Sequence, residues 1–391
     1  MHHNRDVLLN RLGRSQVMKS ILFFLPYLGG GGAQRVFINI LKALDKNKYN
    51  LTLVVIDKDG PYLSQIPAQV KLIELNSKRV LLSSLELKRL FSKYKPDIII
   101  SGLNYANIIV ALSVKWAKVP SKLILTEHSS YSGKNVQTNK IKYLMFKKLI
   151  KLSYKFADNI VCVSKGISEE VRQLTGIKQC EDIIKVIYNP IVDKELTFKS
   201  IENVKDAWIN NKNFKVIISM GRLTKQKDFP TLIKAFAKYL ASNRNTKVKL
   251  IVMGEGESRP ELERMVNDLR LNNYVNLLGY VDNPYAYLSK ADLFVLSSRS
   301  EGFGNVIVEA MACGTPVIST NCPTGPGEII EDGINGFLVP VGDEEKLAKK
   351  ISEVINNEGL QRKIAKNAFS RAQDFKVSKI VREYEQLFEN T

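Results

Sequence analysis

Two cations and two glutamates carry the sharpest chemical signal in this 391-residue chain. Arg222 and Lys227 lie in Met220-Gly221-Arg222-Leu223-Thr224-Lys225-Gln226-Lys227-Asp228, which leaves a strand-like run and enters a helical one near Phe229. Open α/β sheets bind ligands at loops on the carboxyl ends of their strands. Two cations there suit a diphosphate, holding it and neutralising it as it leaves. Glu301 and Glu309 are separated by seven residues within Ser300-Glu301-Gly302-Phe303-Gly304-Asn305-Val306-Ile307-Val308-Glu309-Ala310. Gly302 and Gly304 permit a tight turn, after which Asn305–Ala312 reads as a buried helix. The N–H groups of residues 304–307 would then be free at a helix amino terminus, which is an anion site. Glu301 falls in the turn and Glu309 on the helix, so both can address one ligand. A glutamate in so apolar a helix needs a charge partner or a ligand.

A second glycine loop, Gly29-Gly30-Gly31-Gly32-Ala33-Gln34-Arg35, follows a strand-like run and opens a helix. Its amides can approach a phosphate, and it equally serves as a flexible turn. Gln34 stands where the last glycine of a dinucleotide fingerprint would be, and no G-K-[ST] follows, which excludes a P-loop. Asp57 ends the second strand as an NAD ribose ligand would, leaving a dehydrogenase as an alternative. Asp57-Lys58-Asp59 matches a D-x-D metal pattern, but Asp59-Gly60-Pro61 reads as a turn. The segment is taken as structural, and no metal site is expected.

The elements that must position these residues alternate along the chain. Ser20–Pro26, Leu51–Ile56, Val70–Leu75, Asp97–Ser101, Lys122–Thr126 and Asn159–Val163 are short and apolar, with helical stretches such as Ala33–Leu44 and Ser84–Tyr94 between them. After Tyr188-Asn189-Pro190 the chain turns polar and aperiodic to about Asn213. The alternation then restarts with Phe214–Met220, Lys247–Met253, Tyr274–Leu278, Leu293–Leu296, Pro316–Ser319 and Gly336–Val339. Buried strands alternating with helices make parallel sheets covered on both faces. The expected organisation is an N-terminal extension (1–17), a Rossmann-like domain (18–190), a linker (191–213), a second Rossmann-like domain that binds nucleotide (214–374) and a last helix (375–391) able to cross back to the first domain.

Four cysteines (Cys162, Cys180, Cys313, Cys322) form no C-x-x-C pair, so a reducing compartment is the simpler assumption. The run Lys19–Leu28 reads as a buried first strand rather than a signal peptide. The apolar window Ile98–Ala117 is broken by Asn104, Asn107 and Lys115 and is too polar to span a membrane. Residues 1–200 hold 32 Lys and Arg against 15 Asp and Glu, a balance of +17, and the remainder holds 26 against 24, a balance of +2. The first half therefore expects an anionic partner, either a membrane surface or nucleic acid.

Arg222 and Lys227, Glu301-x7-Glu309 and the following Ala-Cys-Gly-Thr-Pro-Val resemble the retaining GT-B glycosyltransferases of family 4, and the resemblance spans residues 18–390. It implies an α/β fold of two Rossmann-like doubly wound domains facing across a cleft, with a nucleotide diphosphate sugar as co-substrate and no cofactor or metal. Gly29–Gly32 looks like the family's N-terminal glycine loop, and Thr126-Glu127-His128 is similar to its histidine segment. By this resemblance Glu309 would hydrogen-bond the ribose and Glu301 the hydroxyls of the donor sugar. Arg222 and Lys227 would hold the diphosphate, with Gly30 and Gly31 closing over it. The donor-binding set also takes in Phe303, Gly304, Asn305 and Val306. His128 would sit near the reacting sugar, and the reaction would be a front-face displacement in which the leaving phosphate helps deprotonate the acceptor. The loop Asn321–Glu328 resembles members acting on lipid-linked or cell-envelope sugars. The implied activity is transfer of a hexose or N-acetylhexosamine, from a UDP-sugar, to a lipid-linked or polysaccharide acceptor for lipopolysaccharide or capsule.

Seven lysines and no acidic residue occur between Glu127 and Asp158. On a helix, Lys140, Lys147, Lys148, Lys151 and Lys155 share about a third of the circumference, beside a separate stripe of Ile141, Met145, Leu149, Leu152 and Phe156. With the stripe spent on the core, the lysines alone would give a salt-sensitive attraction to the cytoplasmic face of an anionic membrane. No nucleic-acid motif accompanies them, and nucleic acid is not expected as a partner. A sugar-nucleotide epimerase of the same fold and a non-catalytic protein that binds anionic surfaces are the competing readings.

Overall fold

The computed structural model describes residues 18–77, 79–131, 140–177, 182–243 and 247–391. The extension 1–17, Cys180 and the side chain of Lys140 lie outside the described residues. Seven strands form the first sheet: β1 Lys19–Phe24, β2 Tyr49–Val55, β3 Lys71–Glu74, β4 Ile98–Gly102, β5 Lys122–Glu127, β6 Asn159–Cys162 and β7 Ile184–Val186. They run parallel in the order β3-β2-β1-β4-β5-β6-β7. Six form the second: β8 Lys215–Met220, β9 Val248–Met253, β10 Val275–Gly279, β11 Leu293–Leu296, β12 Val317–Thr320 and β13 Phe337–Val339. These too are parallel, in the order β10-β9-β8-β11-β12-β13.

The central strands are apolar without alternation because helices cover both faces: Phe23, Phe24, Leu53, Ile99, Leu125, Ile218, Leu250 and Val295 are all buried. In each sheet the strand order reverses beside the first strand, between β1 and β4 and again between β8 and β11. Such switch points open a crevice at the carboxyl ends of the strands. The glycine loop follows β1, Arg222 and Lys227 follow β8, and Glu301 follows β11. The topology therefore delivers three of the chemically suggestive segments to crevices.

β7 has no counterpart in the sequence reading, since it is a three-residue edge strand with only Ile184 fully buried. The stretch 191–213 is not featureless chain. It holds two short helices, Lys194–Ser200 and Ala207–Asn210, whose first turns are capped by Asp193 on the Leu196 N–H at 2.7 Å and Asp206 on the Trp208 N–H at 2.8 Å. The last helix, Val377–Asn390, buries Val377, Ile380, Val381, Tyr384, Leu387 and Phe388 in the same core as Phe23 and Tyr49 of the first sheet and Ile40 of the helix Gly32–Ala43. Its residues recur at three and four, the spacing of one helical face.

The basic helix, Lys140–Ser153, corrects an expectation. Its buried side is Ile150 and Ser153, continued by Tyr154, with Phe146 packed on Tyr131 at 6.3 Å. The stripe assigned to the core instead faces out: Ile141, Met145 (61% accessible), Leu149 and Leu152 are exposed, together with Leu144 (64%). Lys148, Lys151 and Lys155 are exposed among them, while Lys147 lies over the Tyr143 ring at 5.2 Å. Periodicity separates the faces of a helix; only packing decides which one is covered.

Candidate active site

The loop after β8 and the loop after β11 are laced together. Gln226 Nε2 donates to Ser300 O at 2.7 Å, the Arg299 N–H to Gln226 O at 2.8 Å, and Ser297 Oγ to Lys227 O at 3.0 Å. Lys227 Nζ thereby reaches Glu301 Oε1 at 2.6 Å, an oxygen that also accepts from Ser298 Oγ at 2.6 Å. A Cβ on Gly221 would meet the Lys227 chain at 3.3–3.5 Å, so the glycine leaves room for that side chain to fold back. Arg222, by contrast, is exposed and has no carboxylate partner among the described residues.

The helix Asn305–Ala312 begins at Gly304, whose φ of 104° is a left-handed conformation that suits glycine. The Ile307 N–H is already bound to Gly304 O at 2.9 Å, which leaves the N–H groups of Gly304, Asn305 and Val306 for the expected anion site. Asn305 Oδ1 accepts from Asn189 Nδ2 at 2.7 Å. A Cβ on Gly32 would lie 3.2 Å from Asn305 Nδ2, so the N-terminal glycine loop abuts this helix start directly. Phe303 is buried, stacked on Tyr188 with 5.4 Å between ring centroids and edge-on to Phe375 at 5.3 Å. Glu309, buried on the helix, pairs with Arg35 Nη1 at 3.0 Å from the other half of the chain.

His128 ends the segment after β5. Its Nε2 lies 2.9 Å from Thr126 Oγ1, whose own hydrogen goes to Ser101 O at 3.0 Å. That assignment makes Nε2–H the donor and leaves the lone pair on Nδ1, a buried atom with no partner among the described residues. The backbone at His128 touches the backbone at Gly302 so closely that a Cβ on Gly302 would sit 2.0 Å from His128 O. His128 is thus brought beside Glu301 across the cleft.

Comparison with known proteins agrees with this architecture. The profile of "Glycosyl transferases group 1" matches residues 200–371, and that of "Glycosyltransferase Family 4" matches residues 30–195. A Campylobacter jejuni protein, N-acetylgalactosamine-N,N'-diacetylbacillosaminyl-diphospho-undecaprenol 4-alpha-N-acetylgalactosaminyltransferase, is 32% identical over 380 residues, covering 94% of this chain and 98% of that relative. The chain belongs to the group 1 glycosyltransferases. A lipopolysaccharide core biosynthesis glycosyltransferase of Rhizobium meliloti, LpsE, is 29% identical over 86% of the transferase described here and 88% of its own length. Among solved structures, Anabaena HepE in complex with UDP superposes with a TM-score of 0.76 at 24% identity, covering 96% of this chain and 100% of that one. Sucrose-phosphate synthase from Thermosynechococcus elongatus superposes with a TM-score of 0.81 at 20% identity, over 95% and 98%. These two likenesses establish the fold: the glycosyltransferase is of GT-B type.

Of the residues singled out in the sequence, the fold groups Lys227 with Glu301, and Glu301 with Gly302 and His128. It groups Asn305 with Gly32, and Glu309 with the helix that Gly31 opens. A Cβ on Gly30 would meet Pro61 Cγ at 3.7 Å, an ordinary contact. Cross-cleft residues were missed. Arg35 holds Glu309; Ser164 Oγ donates to Gly302 O at 2.9 Å; and the Lys165 and Gly166 N–H groups donate to the Glu328 carboxylate at 2.8 and 2.9 Å. The one signal that could have found Arg35 is a lone cation in the first turn of a helix, where the dipole disfavours it.

Burial pushes the His128 pKa down from 6.5 to about 4. Between those values the unfolded chain binds a proton that the folded chain does not. The His128 contribution is therefore complete above pH 6.5 and is lost as the pH falls toward 4. Urea unfolding of the wild type should lose on the order of 2 kcal/mol more stability than His128→Gln between neutral and mildly acidic pH. Parallel losses in the two proteins would show that the ring is solvated.

Proposed function

We propose that this transferase moves a hexose or N-acetylhexosamine from a UDP-sugar, with retention and without a metal, to a lipid-linked acceptor at the cytoplasmic face of a membrane. The observation that carries the reading is the convergence of Glu301, Lys227, Glu309 and the open N–H groups of Gly304, Asn305 and Val306 on one face of the cleft, with His128 and the Gly29–Gly32 loop opposite. In this reading Glu309 takes the ribose hydroxyls and Glu301 those of the donor sugar. Arg222, Lys227 and the helix terminus neutralise the departing diphosphate, and Gly30 and Gly31 close over it. Phe303 underlies the loop that bears Glu301. The Nδ1 lone pair of the neutral His128 ring accepts a sugar hydroxyl. In a front-face displacement the leaving phosphate oxygen takes the acceptor's proton, so no side-chain base is required.

The UDP carried by HepE and the diphospho-undecaprenol substrate and alpha product in the name of the Campylobacter relative support these choices of donor, acceptor and stereochemistry. The test is transfer from a panel of UDP-sugars to a polyprenyl-diphosphate-linked saccharide with EDTA present, the new linkage being assigned by NMR. An α linkage made under chelation is expected. A requirement for Mn²⁺ or Mg²⁺, an inverted product, or epimerisation of donor in the absence of acceptor would each replace the reading.

Among the described residues no helix is long and apolar enough to cross a membrane. The proposed contact is peripheral, through the helix Lys140–Ser153. Its exposed lysines attract anionic headgroups, and its exposed Leu144, Met145 and Leu152 add an apolar component that salt does not screen. Trp116, 52% accessible on the neighbouring helix Asn104–Ala117 with Lys88 Nζ 4.2 Å from its ring, extends the same character. Vesicle sedimentation should find strong binding to anionic liposomes and weak binding to neutral ones. Replacing Lys147, Lys148, Lys151 and Lys155 with glutamine should weaken it, and Leu144, Met145 and Leu152 to serine should abolish the fraction that resists high salt. Unchanged binding in both variants would make this helix a solvated face and favour a soluble acceptor.

A further inference from the structure

We propose that Arg35 is a placeholder for the donor: it neutralises Glu309 until a ribose arrives, and is then released to the diphosphate. The proposal rests on the reading that Glu309 receives the ribose. Glu309 has only 4% of its side chain accessible, whereas Arg35 has 29%. A carboxylate so buried is costly without a cation or hydrogen-bond donors. Here the cation comes from the opposite half of the chain, Arg35 Nη1 lying 3.0 Å from Glu309 Oε1. The guanidinium also lies against the Tyr285 ring, with 5.1 Å from Cζ to the centroid, so one side of it is supported by an apolar face rather than by a second acid.

A ribose diol presents two hydroxyl donors that together satisfy a carboxylate, one on each oxygen. With only 4% of the Glu309 side chain accessible, the Arg35 guanidinium at 3.0 Å stands on the approach to Oε1, so the diol and the guanidinium compete for the same space rather than for a single lone pair. Once displaced, the guanidinium belongs to a residue whose own N–H is bound to Gly31 O at 3.1 Å. It therefore stands one turn from the glycine amides that approach the helix start at Asn305. A planar fork of donors at that place fits two phosphate oxygens. The exchange keeps Glu309 paired in both states and brings the extra positive charge to the diphosphate only after the ribose has bound.

Calorimetric titration of uridine and UDP separates the two halves of this exchange, using the full chain with Arg35→Met, Arg35→Lys and Glu309→Gln. Removing Arg35 should tighten uridine, which has no phosphate, by several-fold, and weaken UDP by about tenfold, the size of one charge-assisted contact. Arg35→Lys, which keeps the charge but loses the fork, should fall between wild type and Arg35→Met for UDP. Uridine and UDP moving together, or neither moving, overturns the exchange. Glu309→Gln tells the two readings apart. If it weakens uridine while Arg35→Met alters nothing, only the placeholder role is lost. If it leaves uridine binding unchanged, the assignment of Glu309 to the ribose fails as well.

Discussion

Gly302→Ala is expected to lower turnover by about a hundredfold or more while leaving UDP affinity within a few-fold of wild type. The new Cβ would lie 2.0 Å from His128 O and 2.8 Å from its carbonyl carbon. Both are backbone atoms held at the end of β5, so neither can swing aside as a flexible side chain would. An ordinary contact needs more than 3.4 Å, and the two halves of the cleft must separate by more than an ångström to reach it. The Ser164 hydrogen bond to Gly302 O would be stretched by the same movement. A displacement of about 1 Å between reacting groups is enough for a hundredfold loss. Lys227, Glu301 and Glu309 all stand on the far side of the contact from His128, so most of the proposed nucleotide site moves as a unit and keeps its affinity. Steady-state kinetics alongside UDP titration read the two effects separately. A folded Gly302→Ala enzyme with normal turnover would mean that the His128–Gly302 approach is no part of the reactive arrangement.

The two glutamates should fail in different ways. Glu309→Ala removes the proposed ribose acceptor and should raise the KM for the donor by tenfold to hundredfold, about 1.5–3 kcal/mol for a charge-assisted hydrogen bond. Its partner Arg35 is partly exposed and can be solvated, so the fold should survive. Glu301→Ala should instead lower kcat by a similar factor. Glu301 fixes the Lys227 ammonium at 2.6 Å and accepts from Ser298 at the same distance, so its loss frees the cation that the leaving diphosphate is to meet. An interaction made chiefly in the transition state shows in kcat, and uniform binding shows in KM. Wild-type constants in both folded variants would remove these residues from the site.

Much of this protein was legible as periodicity. Short apolar runs alternating with helical patterns determined two parallel sheets, because a strand buried on both faces cannot be spaced by polar residues. The boundaries of Asn305–Ala312, Ser84–Tyr94 and β11 could be read from flanking glycines and apolar content. Arg222, Lys227, Glu301 and Glu309 were visible because charged residues beside strand ends and glycine turns are conspicuous in a local window. Local windows fail where partners are remote. Arg35 and Glu309 are 274 residues apart, and Ser164 and Gly302 are 138 apart. No spacing rule links them, and only the docking of one sheet's crevice against the other does. The same limit hid the helices within 191–213, which are held by their caps and by packing rather than by pattern. It also hid the exposure of the apolar stripe on Lys140–Ser153: the sequence determined that the helix has a basic and an apolar side, while its neighbours left both of them open to water. Chemistry-bearing residues are thus announced by short-range composition. Their pairing depends on contacts whose free energy exists only once both halves have folded and met.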